Sequence, residues 1–176
     1  MSNIIIYSHK TPQIWYAAGA IIFNSDFTKT IIVKTQKGNI GFPKGGREKN
    51  ERLHQTAHRE VKEETGLKSF QYKHDNTLIG EKKGNIDNPN IKCSIYYFIA
   101  YVEPEVENIK LKCFDPTELS FVEWIPINEA YNYLGKRRQL ILKQAHEYII
   151  NKFTTNNNNT NNNTNNNINN NINNEL

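Results

Sequence analysis

Cysteine is scarce in this chain. Cys93 and Cys113 are the two it has in 176 residues, and their spacing fits neither a metal-ligand pattern nor a disulfide framework. Both are expected to serve packing. Long apolar runs are missing too: no segment approaches the roughly 20 apolar residues that a membrane-spanning helix needs, so no membrane partner is expected. The opening Ile4-Ile5-Ile6 lacks a basic region before it and a long apolar region after it, which argues against a secretory signal. A cytoplasmic protein, or one also present in the nucleus, is the expectation. From Thr154 onward the chain is poor in nearly everything except Asn, with Thr160, Thr164, Ile168 and Ile172 as interruptions and Glu175 as the one charge. Such a tract buries too little apolar surface to offset the entropy lost on ordering. Residues 154–176 are therefore expected to form a disordered Asn-rich tail behind one domain of residues 1–153, an ordinary domain size.

The formal charge is +4, and setting Glu175 aside leaves +5 on the domain. A modestly basic surface suits an anionic partner. Against that background one acidic cluster stands out. Residues 59–67, REVKEETGL, have the pattern of a helix that Gly66 ends, because a residue without Cβ enters the left-handed conformation at little cost. Glu60, Glu63 and Glu64 then fall at i, i+3 and i+4, three carboxylates on one face within a turn. Their mutual repulsion needs an offset, and hard oxygen donors of this kind suit Mg²⁺ or Mn²⁺.

In chain order, residues 14–23 and 30–34 predict strands, rich in β-branched and aromatic residues. Residues 40–46, IGFPKGG, predict an extended segment and a glycine-rich turn carrying Lys44 and Arg47, placed for phosphate contact beside the acidic helix. The helix is predicted over 48–65, with Leu53, Ala57 and Val61 as its core face. His54 and His58 are expected to be incidental surface residues. A strand over 70–80, a polar loop over 81–90 and a central strand over 91–102 follow. In the last of these Tyr96 is a candidate for stacking on a base. A charged loop over 104–116 is placed to close over the site, followed by a strand over 120–125 with Trp124 as a core anchor. Asn128 is expected to cap a helix over 129–134 that Gly135 ends. A last helix over 138–153 should bury Leu140, Ile141, Ala145, Tyr148, Ile149 and Phe153. Strands on either side of a long helix, with a second helix closing the far face, suit an α/β fold.

Gly45, five residues, Glu51, seven residues, then Arg59-Glu60-Val61-x-Glu63-Glu64-x-Gly66-Leu67 matches every fixed position of the Nudix box, G-x5-E-x7-R-E-U-x-E-E-x-G-U. The chain resembles a Nudix hydrolase over residues 14–150. The resemblance implies an α/β/α sandwich around a mixed β-sheet and hydrolysis of a diphosphate linked to another moiety. It implies divalent ions, Mg²⁺ or Mn²⁺, held by Glu60, Glu63, Glu64 and Gly45, with Arg59, Glu51 and Gly66 supporting the site. Water activation falls to Glu63, Glu60 or a carboxylate outside the box. For the last, Glu118 is the candidate, six residues before Trp124, with Glu123 and Glu107 as alternatives. Lys44, Gly46, Arg47, Lys82, Lys83 and Tyr96 are the candidate substrate contacts, with Lys92, Arg137 and Arg138 as further cations. The Phe42–Gly46 turn resembles that of diphosphoinositol polyphosphate and dinucleoside polyphosphate hydrolases, and a compact anionic polyphosphate is the expected substrate. Messenger RNA decapping, or binding without catalysis, is the alternative; nucleic acid enters only as a nucleotide or a capped RNA.

Overall fold

The apolar stretch QIWYAAGAIIF becomes the strand on which the sheet is built. The computed structural model describes the backbone of residues 13–84 and 91–172, and side chains throughout except at 13, 14, 76, 82–84, 91, 92 and 156–172. Strand β1 (Gln13–Phe23) runs parallel to β6 (Ile91–Val102) along its whole length, from Gln13↔Ile91 to Phe23↔Tyr101. Its other edge is shared. There β4 (Lys44–Gly46) pairs with residues 17–19, and β2 (Lys29–Thr35) joins at Phe23↔Thr30. β2 in turn carries β3 (Ile40–Gly41) and β7 (Leu119–Pro126), while β5 (Tyr72–Gly84) flanks β6. The path is β3-β2-β1-β6-β5, with one parallel pair among antiparallel ones, so the sheet is mixed.

Alternation along β1 decides what covers each face. Ala17, Ile21 and Phe23 point to the side where α2 (Ile127–Tyr133) and α3 (Lys136–Ile172) bring Ala130, Leu142 and Ile149. Ala18, Ala20 and Ile22 point to the other side, where α1 (Leu53–Thr65) brings Ala57 and Val61. The result is the expected α/β/α sandwich.

Several element boundaries move, each for a local reason. α1 begins at Leu53 rather than at 48, because Asn50 takes a left-handed φ of 70° and Arg52 is extended. Residues 48–51 form a turn instead, with the Glu51 amide donating to the Glu48 carbonyl at 3.2 Å. Phe70 opens no strand; a 3₁₀ turn over Ser69–Gln71 precedes β5, which then runs past Gly80 to Gly84. Lys82 and Lys83 are thus strand positions opposite Ser94 and Cys93, not loop residues. Asn128 does not cap α2, which starts one residue earlier behind Pro126 and ends at Leu134. In α3 Leu140 is exposed and Leu142 takes its place in the core. The loop over 104–116 is already fastened to the end of α1: Lys112 N donates to Thr65 O at 3.0 Å and Phe114 N to Glu63 O at 2.8 Å.

α3 meets no glycine or proline after its start, and its backbone is helical to Ile172, into the Asn-rich stretch for which composition predicts disorder. Its anchoring comes earlier. Tyr148 donates to Asp75 Oδ2 at 2.7 Å and Lys152 pairs with the same oxygen, while Phe153 packs on Phe27 and Tyr101 with centroids 4.9 and 5.1 Å away. Phe153 is the last helix residue in the core among the described side chains. We propose that the domain ends there. Truncation after Phe153 is expected to leave Tm within about 2 °C of the full chain, checked by calorimetry. Asp75 itself is held down at about 2, first by Lys152, then by Tyr148 and the Thr77 amide. A carboxyl lowered on folding stabilises above its unfolded pKa, and that contribution fades as pH falls from about 4 towards 2. Asp75→Asn should cost about 1 kcal/mol, roughly 2–4 °C in Tm, at neutral pH, with the difference from wild type shrinking over that acid window.

Candidate active site

Glu64 is the most enclosed of the three clustered carboxylates, at 6 % exposure, and its Oε2 accepts the Lys44 amide at 2.8 Å. Burial pushes it up to about 7, against the pull of the Lys44 amide and charge; the charges of Glu60 and Glu118 raise it further. Glu60 is raised as well, again chiefly by burial, with Arg59 opposing and Glu63 adding. Both carboxylates are therefore short of positive charge. Glu63 is more open and lies along the helix surface.

Arg59 gathers what the helix and the preceding turn present. Its Nε donates to Glu51 Oε1 at 2.8 Å, one terminal nitrogen to Glu60 Oε1 at 2.7 Å and Glu63 Oε2 at 3.1 Å, and the other to Gly46 O at 2.8 Å. The early turn lets Glu51 fold back, where it also accepts from Thr56 Oγ1 at 2.9 Å. Arg59 holds Glu51 down at about 2, and these carboxylates hold the guanidinium protonated well above its ordinary range. Gly66 closes the helix at φ 79°, with its amide on Lys62 O at 2.9 Å.

Gly45 pairs with Ala18 in β4, and a Cβ there would collide with the Glu60 carboxylate. Next to it, the Arg47 guanidinium lies 5.5 Å from the Tyr16 ring centroid, and Tyr16 stacks on Tyr96 at 6.5 Å with planes 21° apart. Arg47 and Tyr96 thus meet on Tyr16, Gly46 meets Arg59 of α1, and Lys44 lies close enough for its charge to act on Glu60 and Glu64. Glu118 faces Glu64 electrostatically. Glu107 instead accepts the Ser25 amide at 2.5 Å, in the β1–β2 turn, and Glu123 is exposed on β7 opposite Ile32. The side chains of Lys82, Lys83 and Lys92 lie outside the described residues, as do residues 85–90 of the polar loop expected over 81–90. His58 is half-buried rather than incidental, with Nδ1 2.5 Å from the Tyr72 hydroxyl, and burial lowers its pKa, with His74 and His54 adding. Cys113 borders the site, its thiol donating to Asp115 O at 3.1 Å.

Sequence reasoning names Arg138 as a candidate cation but misses the group it joins. Arg138 of α3 and Glu81 of β5 form an ion pair at 3.5 Å, with side chains 13 % and 3 % exposed, and Tyr97 donates to Glu81 at 3.3 Å. These residues are far apart in the chain, and only the sheet brings them together; no local pattern announces the pairing.

The donor set fits a hard divalent ion: a buried carboxylate at Glu64 and a half-buried one at Glu60, both raised by burial and crowding, a third beside them, and a cradle at Gly45 that a Cβ would fill. Among the described residues no three His, Cys, Asp or Glu side chains are grouped closely enough to hold a metal ion, and Arg59 takes an oxygen each of Glu60 and Glu63.

The comparisons with known proteins agree with the fold. The NUDIX domain family profile matches residues 14–147, so the chain belongs to the Nudix family. It is a hydrolase acting on pyrophosphate bonds. No curated protein sequence matches at a significant level. Among solved structures, a Caenorhabditis elegans Ap4A hydrolase binary complex superposes with a TM-score of 0.68 at 16 % identity, covering 78 % of this chain and 98 % of that one. The Nudix domain of Shewanella oneidensis NrtR complexed with ADP ribose gives 0.61 at 18 % identity, covering 78 % and 89 %. A MutT protein from Methanosarcina mazei gives 0.60 at 16 %, covering 80 % and 98 %. Identities this low carry the fold alone. None of the described helices is long and apolar enough to cross a membrane.

Gly45→Ala is expected to displace the Glu60 carboxylate and cut kcat/KM by about a hundredfold, while circular dichroism and Tm show the fold retained. A near-normal rate would mean that the close approach of Gly45 and Glu60 is irrelevant to turnover.

Proposed function

We propose that the protein is a divalent-metal-dependent pyrophosphohydrolase of a compact polyphosphate, with a dinucleoside polyphosphate as the favoured substrate. The observation that carries the reaction is the pair of raised carboxylates, Glu64 buried and Glu60 half-buried, beside the Gly45 turn. Mg²⁺ or Mn²⁺, held by Glu60, Glu64 and Glu63 with the Gly45 backbone, supplies charge neutralisation of the phosphates and a lowered pKa for bound water. Arg59 keeps the carboxylates of Glu60 and Glu63 in place. Glu118 is exposed, faces Glu64 and sits outside the Arg59 network, so it is free to take the proton from the attacking water; Glu63 is the alternative base. Lys44 and Arg47 hold phosphate oxygens with charge-assisted hydrogen bonds.

The choice of substrate follows from Tyr16, Tyr96 and Arg47. A stacked aromatic pair under a guanidinium next to the box offers a platform for a purine, worth roughly 1–3 kcal/mol per stacked base. An inositol ring has no π-face to use it. The likeness to the C. elegans Ap4A hydrolase, a fold likeness, is in keeping with this reading. A long RNA would want an extended basic track with aromatic residues along it, and the described surface offers one local platform rather than a track.

Glu64→Gln keeps the acceptor for the Lys44 amide but loses the charge. It is expected to lower kcat on diadenosine tetraphosphate at least about a hundredfold with Tm little changed. The check is steady-state kinetics with Mg²⁺ over a panel of dinucleoside polyphosphate, diphosphoinositol polyphosphate and capped RNA. Near-normal turnover by Glu64→Gln would remove the metal assignment. A wild type that cleaves only capped RNA would hand the lead to decapping.

A further inference from the structure

Beside Glu64 lies a cavity of about 140 Å³ that the proposed chemistry leaves unused, lined by Lys44, Arg138, Asn39, Thr35 and Phe42 as well as by Glu64 itself. Arg138 reaches it from the start of α3. Its guanidinium donates to the Ile40 carbonyl, pairs with Glu81 and lies beside the Tyr97 hydroxyl. Glu81 is 4 % exposed and Tyr97 fully buried, in the layer that Phe42, Ile99 and Leu142 otherwise fill with apolar groups. An ion pair in such a place is a poor source of stability, since apolar side chains of equal volume do as well or better. The backbone also makes room for it: a Cβ on Gly41 would come within 2.8 Å of the guanidinium.

We propose that Arg138 is a substrate-recognition residue, anchored by Glu81 and the Ile40 carbonyl, that holds a non-scissile phosphoryl group in the cavity it shares with Lys44 and Glu64. Size and charge select this ligand. The cavity has several times a water molecule's share of about 30 Å³, yet falls well below the roughly 300 Å³ of a pocket for a whole small ligand. Two cations, Lys44 and Arg138, border it, and a guanidinium presents paired donors to phosphate oxygens. The remainder of the substrate has somewhere to go. Ile40 also lines an open basin of about 340 Å³ with Phe121, Tyr133 and Lys34. The phosphate chain thus runs from the carboxylates of α1 to Arg138, which deepens the polyphosphate reading and rests on it.

The test uses Arg138→Met, Arg138→Lys and Gly41→Ala in the full chain, the last displacing the guanidinium without deleting it. Two readouts are taken: KM and kcat on diadenosine tetraphosphate, and the Kd of inorganic tripolyphosphate in the Glu64→Gln background by calorimetry. Arg138→Met and Gly41→Ala are expected to raise KM and Kd roughly tenfold or more while kcat stays within about threefold. Arg138→Lys should recover part of the affinity. A folded Arg138→Met or Gly41→Ala with unchanged tripolyphosphate Kd overturns the proposal, as does a loss confined to kcat. Should Arg138→Met fail to fold, Gly41→Ala decides alone. Because the calorimetric arm does not depend on turnover, a wild type inactive on the dinucleotide would count against the substrate reading without deciding the role of Arg138.

Discussion

One guanidinium holds this site in shape. Arg59 hydrogen-bonds Glu51, Glu60, Glu63 and the Gly46 carbonyl, so it ties helix α1 to the turn before it and to strand β4 in a single contact set. Without it, several carboxylates within a short stretch would repel one another across a partly dry surface; among the described residues Lys44 acts on Glu60 and Glu64 through its charge, while Arg59 alone bonds several of the carboxylates at once. The pull is mutual, since the Glu51 carboxyl is held far down while the guanidinium is held charged. Glu64 and Glu60 escape this neutralisation in part and stay raised, chiefly through burial, and the divalent ion proposed above would offset their charge.

The scaffold explains why the tension is tolerated. The opposite side of α1 buries Ala57 and Val61 against β1 and β6, and the apolar contact is continuous with the sheet core. Burial contributes of order 1.5–3 kcal/mol at Val61 and about 0.8 kcal/mol at Ala57, which helps offset the crowding of the carboxylates. The segment after β6 then folds back on the end of α1 through the Lys112 and Phe114 amides, and in doing so it brings Glu118 within electrostatic reach of Glu64. The loop thus belongs to the floor of the site.

Much of this was legible in the residues. The strands at 14–23 and 91–102 are marked by dense β-branched and aromatic content, and the acidic helix by its 3.6-residue spacing and the glycine that stops it. The helix starts later than composition suggests because Asn50, a residue type that enters the left-handed region more readily than most, does so here and breaks the run from Glu48. Lys82 and Lys83 were read as loop for a similar reason, since the pairing partners that extend β5 lie in β6 and not nearby in the chain. The Leu140 and Leu142 exchange reflects a shift of the buried stripe that helix packing sets and propensity does not.

The sequence by itself carried the family resemblance, which implies the reaction class, and the acidic face, because the box consists of side-chain types at fixed short offsets that a helix converts into a face without help from the rest of the fold. What the tertiary structure alone decided is the company those residues keep. The facing of Glu118 and Glu64, the stacking of Tyr16 on Tyr96 under Arg47, and the Arg138–Glu81–Tyr97 cluster join segments brought together by strand pairing and helix packing. Contacts of that kind depend on register across the sheet and on which face a helix covers. Those are properties of the packed chain, set by burial of apolar surface, and no local pattern encodes them.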